Sequence, residues 1–139
     1  MKVSELMSVG VETINSDASI AEAAEVMRSR DLGALPVMES DEIVGIITDR
    51  DIVVRAIARG KDPAKTFVGE IMTPELYYCF EDEDISDAAM QMEERAIRRL
   101  VVFNTDYEPV GMLSISDFAV KSHDEHLTHE ILESISERA

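Results

Sequence analysis

"GIITDRDI" (residues 45–52) is echoed by "GMLSISDF" (residues 111–118). Each stretch has a glycine, two apolar residues, a hydroxyl, two variable positions and then an aspartate. One copy describes a strand running into a capped helix. Two copies describe one unit used twice. The register extends on both sides. "VSELM" (3–7) returns as "VGEIM" (68–72), 65 positions on. At that offset "SIAEAAEVM" (19–27) falls on "DISDAAMQM" (84–92), and "LPV" (35–37) on "LVV" (100–102). One extra residue in "NTDYEP" then makes the offset 66, aligning Gly45, Thr48 and Asp51 with Gly111, Ser114 and Asp117. A period held through so many segments marks an internal repeat.

The halves carry the same elements. A short helical turn holds Leu6–Met7 or Ile71–Met72, and an extended piece follows at 11–14 or 76–80. Ile20, Ala23, Ala24 and Met27 lie on one helical face, as do Ile85, Ala88, Ala89 and Met92. Ser19 with Glu22, and Asp84 with Asp87, look like N-terminal caps. Two β-rich runs come next in each half, 35–38 with 43–48 and 100–103 with 110–114, joined as hairpins by "ESD" and "NTDYEP". A second helix begins near Asp51 or Asp117, and Gly60 suits the end of the first of these. The pattern predicts an α/β (α+β) fold of two pseudo-symmetric β-α-β-β-α repeats. One such half buries little core alone, so the halves are expected to pack sheet to sheet. The expected domains are 1–62, 63–122 and a C-terminal helix over 123–139, with "RGKDPAKT" (59–66) as connector.

The 139 residues carry 29 acidic and 13 basic side chains, a net charge of -16. Phosphate backbones are held by clustered Lys and Arg, so DNA and RNA are poor partners. Anionic membranes are disfavoured for the same reason. The N-terminal stretch lacks the apolar core of a signal peptide, and no apolar run approaches the roughly 20 residues of a membrane span. These features lead to the expectation of a cytoplasmic protein. The single cysteine, Cys79, forms no internal disulfide and reads as a buried structural thiol.

Ser or Thr followed three residues later by an acid is a capping box, and that alone accounts for "TDRD" and "SISD". The same geometry also suits a ligand. A helix N-terminus offers N–H groups to an anion, the hydroxyl can meet phosphate, and the carboxylate can accept both hydrogens of a ribose diol. The glycine lets another backbone approach the strand. The two readings are compatible.

With "VSELM" and "VGEIM", the paired-alanine helices, "LPVM" and "RRLVVF", and the two Gly…Thr/Ser…Asp stretches in place, the chain resembles a tandem pair of cystathionine-β-synthase (CBS) domains, the Bateman module. The resemblance runs from about Val3 to Ser122. It implies a regulatory, non-catalytic module that binds AMP, ADP, ATP or an adenosyl ligand such as S-adenosylmethionine in clefts between the repeats. It also implies homodimers of modules. Carried over by residue, one cleft uses Ile46, Thr48, Arg50 and Asp51, with Leu76, Tyr77, Ile97, Arg98 and Arg99 from the opposite half. Ile46, Leu76, Tyr77 and Ile97 would sandwich adenine, Asp51 would hold ribose, and Thr48, Arg98 and Arg99 would hold phosphate. The other cleft uses Met112, Ser114, Ser116 and Asp117, with Val11 and Glu12. There Glu12 replaces Tyr77, and Gly33–Ala34 replaces the arginine pair, which disfavours an anionic ligand.

No catalytic constellation, P-loop or dinucleotide-binding glycine fingerprint is present. With no effector domain in the sequence, the output is expected on an unidentified partner protein. Two other readings stay open: an interaction and dimerisation scaffold with empty clefts, and a metal-responsive protein. The last would use His123, His126 and His129, pairing His126 with His129 or with Glu130.

Overall fold

The structure, a computed structural model, describes residues 1–137. In chain order its elements are α1 (Val3–Leu6), β1 (Ser8–Val9), β2 (Ile14–Asn15), α2 (Ile20–Arg30), β3 (Ala34–Glu39), β4 (Glu42–Thr48) and α3 (Asp49–Asp51). α4 (Val68–Ile71), β5 (Tyr78–Phe80), α5 (Ile85–Arg95), β6 (Arg99–Phe103), β7 (Pro109–Ser114), α6 (Ile115–Asp117) and α7 (Glu125–Glu137) follow. Both α3 and α6 continue into a π-helical turn, over Ile52–Ala56 and Phe118–Ser122. Gly60, at φ 73°, closes the first of these helical runs. The class is the mixed α/β expected from the repeat.

Two compact units divide the chain, and they do not follow the sequence period. One is residues 12–76; the other joins residues 1–11 to the chain from Tyr77 onward. The N-terminal arm therefore completes the unit of the second repeat, and α4 completes the unit of the first. In the 12–76 unit the sheet order is β2-β3-β4, with β2 parallel and β4 antiparallel to β3. In the other unit the order is β1-β7-β6-β5. There β1 adds to the outer edge of β7 through Ser8–Met112 and Val9–Gly111. Thr73 stands in the equivalent place beside β4, bridged to Ile46.

Each unit has a hydrophobic cluster of its own. Ile20, Ala23, Leu35, Val37 and Ile47 gather with Val68 and Ile71 of α4. Ala88, Ala89, Met92, Leu100, Leu113 and Phe118 gather with Val3 and Leu6 of α1 and Ile131 and Ile135 of α7. α7 explains why 63 residues from Tyr77 onward, with an 11-residue arm, suffice for a core. It also breaks the expected symmetry of the helix faces. Ala89 is fully buried under α7, whereas its counterpart Ala24 is exposed. The Ser134 hydroxyl fixes α7 further by donating to the Glu93 carbonyl of α5.

The caps follow the local sequence with one difference. The Ser19 hydroxyl accepts from the Glu22 N–H at 3.1 Å. Asp84 instead accepts from the N–H and hydroxyl of Ser86, which hold its carboxyl below the usual range. A shorter loop from the carboxylate to the second N–H outcompetes the expected box with Asp87. Cys79 faces the core, and burial pushes its thiol up to about 12.

The glycines of the repeated motif permit a close backbone approach. A Cβ on Gly45 would lie 2.4 Å from the Thr73 carbonyl oxygen, and one on Gly111 would lie 2.6 Å from that of Ser8. Backbone cannot move aside as a side-chain tip can. Gly111→Ala is expected to cost about 1–3 kcal/mol, read by urea denaturation. A variant as stable as wild type would show that β1 is not held against β7.

Candidate functional site

The two candidate half-sites arise where a strand ends and a helix begins. Thr48 is the last residue of β4 and the N-cap of α3, in extended conformation. Its hydroxyl accepts from the Asp51 N–H at 3.1 Å, and its own N–H donates to Asp51 Oδ2 at 3.0 Å. Ser114 and Asp117 repeat this, with the Ser114 N–H 2.9 Å from Asp117 Oδ2. The carboxylates are buried, at 8% and 7% exposure. Burying a charge is costly unless it is paired, so the partners matter. The capping box is one set.

Two further sets escaped the sequence reading. The Thr73 hydroxyl donates to Asp51 Oδ2, and the Ser8 hydroxyl to Asp117 Oδ1, each at 3.5 Å. These are the residues directly after the repeated "IM" and "LM", so the period itself could have pointed to them. One turn beyond each acid lies a cation. Arg55 Nε is 3.7 Å from Asp51 Oδ1, and Lys121 Nζ is 3.3 Å from Asp117 Oδ1. An acid with a base four residues later was the available signal. The cations also close the end of the short helix packed beside them. Arg55 Nη1 donates to the Ile71 and Met72 carbonyls at 3.4 and 3.3 Å. Lys121 Nζ donates to the Leu6 carbonyl at 3.3 Å. Half-exposed cations make each pair worth little in isolation; their effect is to fix the carboxylate oxygens in direction.

The expectation of free helix N–H groups for an anion is corrected here. In the first half-site the Asp49 N–H donates to the Gly33 carbonyl at 3.0 Å. The Arg50 N–H donates to Asp49 Oδ1 at 2.9 Å, and the Asp51 N–H to Thr48. In the second, the Ile115 N–H donates to the Arg98 carbonyl and the Asp117 N–H to Ser114. Capping and bonds to the preceding strand segments take up these donors. A carboxylate's two oxygens offer about four lone-pair positions; three donors meet Asp51, which retains acceptor capacity, whereas the Ser114 N–H and hydroxyl, the Ser8 hydroxyl and Lys121 take up those of Asp117.

The remaining sequence candidates fall as follows. Ile46, Thr48, Arg50, Asp51, Leu76 and Glu12 belong to the 12–76 unit. Val11, Tyr77, Ile97, Arg98, Arg99, Met112, Ser114, Ser116 and Asp117 belong to the other. Arg50, Arg98, Arg99, Ser116 and Glu12 are exposed, while Ile46, Leu76, Met112 and Val11 are half-buried. Tyr77 and Ile97 pack against the core of their own unit, and the Arg95 guanidinium lies 4.8 Å over the Tyr77 ring. In the β6–β7 ladder Arg99 stands directly across from Ser114, as Ala34 does from Thr48. Directly paired residues share a sheet face, so a cation flanks one hydroxyl and a methyl flanks the other.

The histidines form two separate helical pairs: His126 with Glu130 at 3.0 Å and His129 with Glu133 at 3.2 Å. His123 and His129 line a shallow depression between the 118–122 turn and α7. Among the described residues no group of three or more His, Cys, Asp and Glu is placed to hold a metal ion. No helix of the described residues is long and apolar enough to cross a membrane.

A family model described as CBS domain matches the chain twice, over residues 3–57 and 68–124. Hypoxic response protein 1 of Mycobacterium tuberculosis is 34% identical over 116 residues, spanning 83% of this chain and 80% of its own length. A crystal structure of hypoxic response protein I with two coordinated zinc ions superposes with a TM-score of 0.75 at 32% identity, covering 87% of this chain and 98% of that one. The CBS domain protein PAE2072 from Pyrobaculum aerophilum, complexed with AMP, gives 0.77 at 25% identity and covers 99% of both chains. The CBS domain pair of MJ0100, in complex with 5′-methylthioadenosine and S-adenosyl-L-methionine, gives 0.74 at 29% identity, covering 86% and 93%.

Proposed function

Because the chain belongs to the CBS-domain family and carries its unit twice, we propose that it is a regulatory module that binds AMP, ADP, ATP or S-adenosylmethionine and does no chemistry of its own. The observation that carries this reading is the doubled half-site. A buried carboxylate is presented beside a hydroxyl in both units, with its oxygens oriented by cap and cation. Two of its structural neighbours were crystallised with AMP or with 5′-methylthioadenosine and S-adenosyl-L-methionine.

Asp51 and Asp117 are assigned to ribose, and Thr48, Ser114 and Ser116 to phosphate or its equivalent. Arg98 and Arg99 are the phosphate cations, with Arg50 beside Asp51. Ile46, Leu76, Tyr77 and Ile97, and Val11 with Met112, supply apolar surface for adenine. Glu12 opposes phosphate. The module acts as a homodimer on a partner protein, and no cofactor is required.

One observation favours the rival scaffold reading: both carboxylates already accept from donors within the folded chain, Asp117 from four of them. Calorimetric titration and melting with AMP, ADP, ATP and S-adenosylmethionine separate the two. A ligand at 100 times its Kd adds about 2.7 kcal/mol of stability, which raises Tm by several degrees in a domain of this size. Titrating Arg99→Ala beside Asp51→Ala and Asp117→Ala then tells which carboxylate the arginines serve. No heat and no shift with any of the four ligands would leave the scaffold.

A further inference from the structure

Four of the seven aromatic residues stand together in the unit that joins residues 1–11 to the chain from Tyr77 onward. Tyr78 and Phe80 project from the same side of β5, and Phe80 pairs with Phe103 across the ladder. Tyr78 meets Phe80 and Phe103 edge-on at 5.8 and 5.5 Å between ring centroids. Tyr107, from the β6–β7 turn, closes the ring by meeting Phe80 at 5.4 Å and Phe103 at 6.5 Å. Tyr107 and Tyr78 are open to solvent, at 68% and 42% exposure, while Phe80 is half-buried and Phe103 buried.

The repeat supplies an internal control. Thr13, Asn15 and Met38 occupy the places of Tyr78, Phe80 and Phe103, and the shorter loop offers no ring. The 12–76 unit forms its sheet without any of these aromatics, so the fold does not require them. Tyr107 also adopts φ 58°, the left-handed region, which costs a residue of its kind roughly 1–2 kcal/mol. Asp41 adopts φ 66° in the equivalent turn of the first repeat, so the turn sets the backbone and the exposed ring is what the second repeat adds.

The surroundings fix the chemistry of the partner. Glu81 and Asp82 follow Phe80 directly, and Asp106 and Glu108 bracket Tyr107. None of these four acids takes part in an ion pair among the described residues. Although β5 is an edge strand, strand addition is blocked. The Tyr78 carbonyl accepts from Gln91 Nε2 at 2.9 Å, and the Phe80 N–H donates to Glu83 Oε1 at 3.2 Å. Recognition must therefore run through side chains. Aromatic faces next in the chain to carboxylates that lack an ion pair favour a cation. A planar guanidinium fits best, because it stacks on a ring while its N–H fork meets a carboxylate. The chain already makes such a stack between Arg95 and Tyr77.

We propose that this aromatic face docks an arginine-bearing segment of a partner protein. The test is an NMR titration of the full chain, without nucleotide, by capped hexa-arginine, with hexa-lysine and hexa-glutamine as comparisons. Resonances of Tyr78, Phe80 and residues 106–108 should move, and hexa-lysine should bind more weakly. Tyr107→Gly, which suits the left-handed backbone and preserves the fold, should weaken binding at least fivefold. So should the set Tyr78→Thr, Phe80→Asn and Phe103→Met, which installs the first repeat's own residues. Shifts spread over the whole acidic surface with Tyr107→Gly unaffected would overturn the proposal, as would absence of binding up to millimolar peptide. If the patch responds to protein concentration alone, its occupant is a second copy and the proposal fails. The nucleotide reading stands or falls separately, since no nucleotide is present.

Discussion

Asp51→Ala should lose on the order of tenfold to a hundredfold in affinity for AMP. Hydrogen bonds to a charged acceptor are worth about 1.5–3 kcal/mol, which converts to that range. The structure adds a second expected cost. Asp51 also completes the Thr48 capping box and faces Arg55, so the variant should lose about 0.5–2 kcal/mol of folding stability through the cap. Affinity from calorimetry and stability from urea unfolding, taken on the same preparation below its Tm, read the two costs separately. Lowered stability with unchanged affinity would reduce Asp51 to a cap and return the module to the scaffold reading.

Leu6→Ala should destabilise residues more than seventy positions away. Leu6 is fully buried in a cluster built from α5, β6, β7 and α7. Truncating a buried leucine costs about 2–5 kcal/mol. Native-state hydrogen exchange should therefore show lost protection in Arg99–Phe103 and Pro109–Ser114, with Ala34–Glu39 spared. Ile71→Ala, at the repeated position and 1% exposed, should do the converse. Loss of protection in Ile20–Arg30 on Leu6→Ala would place the N-terminal arm with the first repeat and contradict the division of the chain.

Much of the site was legible because its bonds are local. The Thr48–Asp51 and Ser114–Asp117 boxes form between residues three apart, so spacing alone specifies them. Gly45 and Gly111 announced a close backbone approach without saying whose. The cations were less legible. Arg55 and Lys121 lie four residues beyond their acids, but their choice of oxygen depends on the carbonyls of Ile71, Met72 and Leu6 arriving from elsewhere in the chain. The engaged N–H of Asp49 was not legible at all, because its acceptor, Gly33, is brought close only by the β3–β4 hairpin.

The amino-acid sequence by itself determined the repeat, the element types, the caps and the pair of carboxylates. Each depends on periodicity or on contacts within one turn, which chain geometry fixes before any long-range packing. Tertiary structure decided which short helix completes which unit. "VSELM" and "VGEIM" present the same apolar pair, Val3 with Leu6 and Val68 with Ile71, and either could fill either core by pattern alone. It also decided the fates of Ala24 and Ala89, identical in local sequence role. The covering helix α7 buries one of them, and no local rule carries that information.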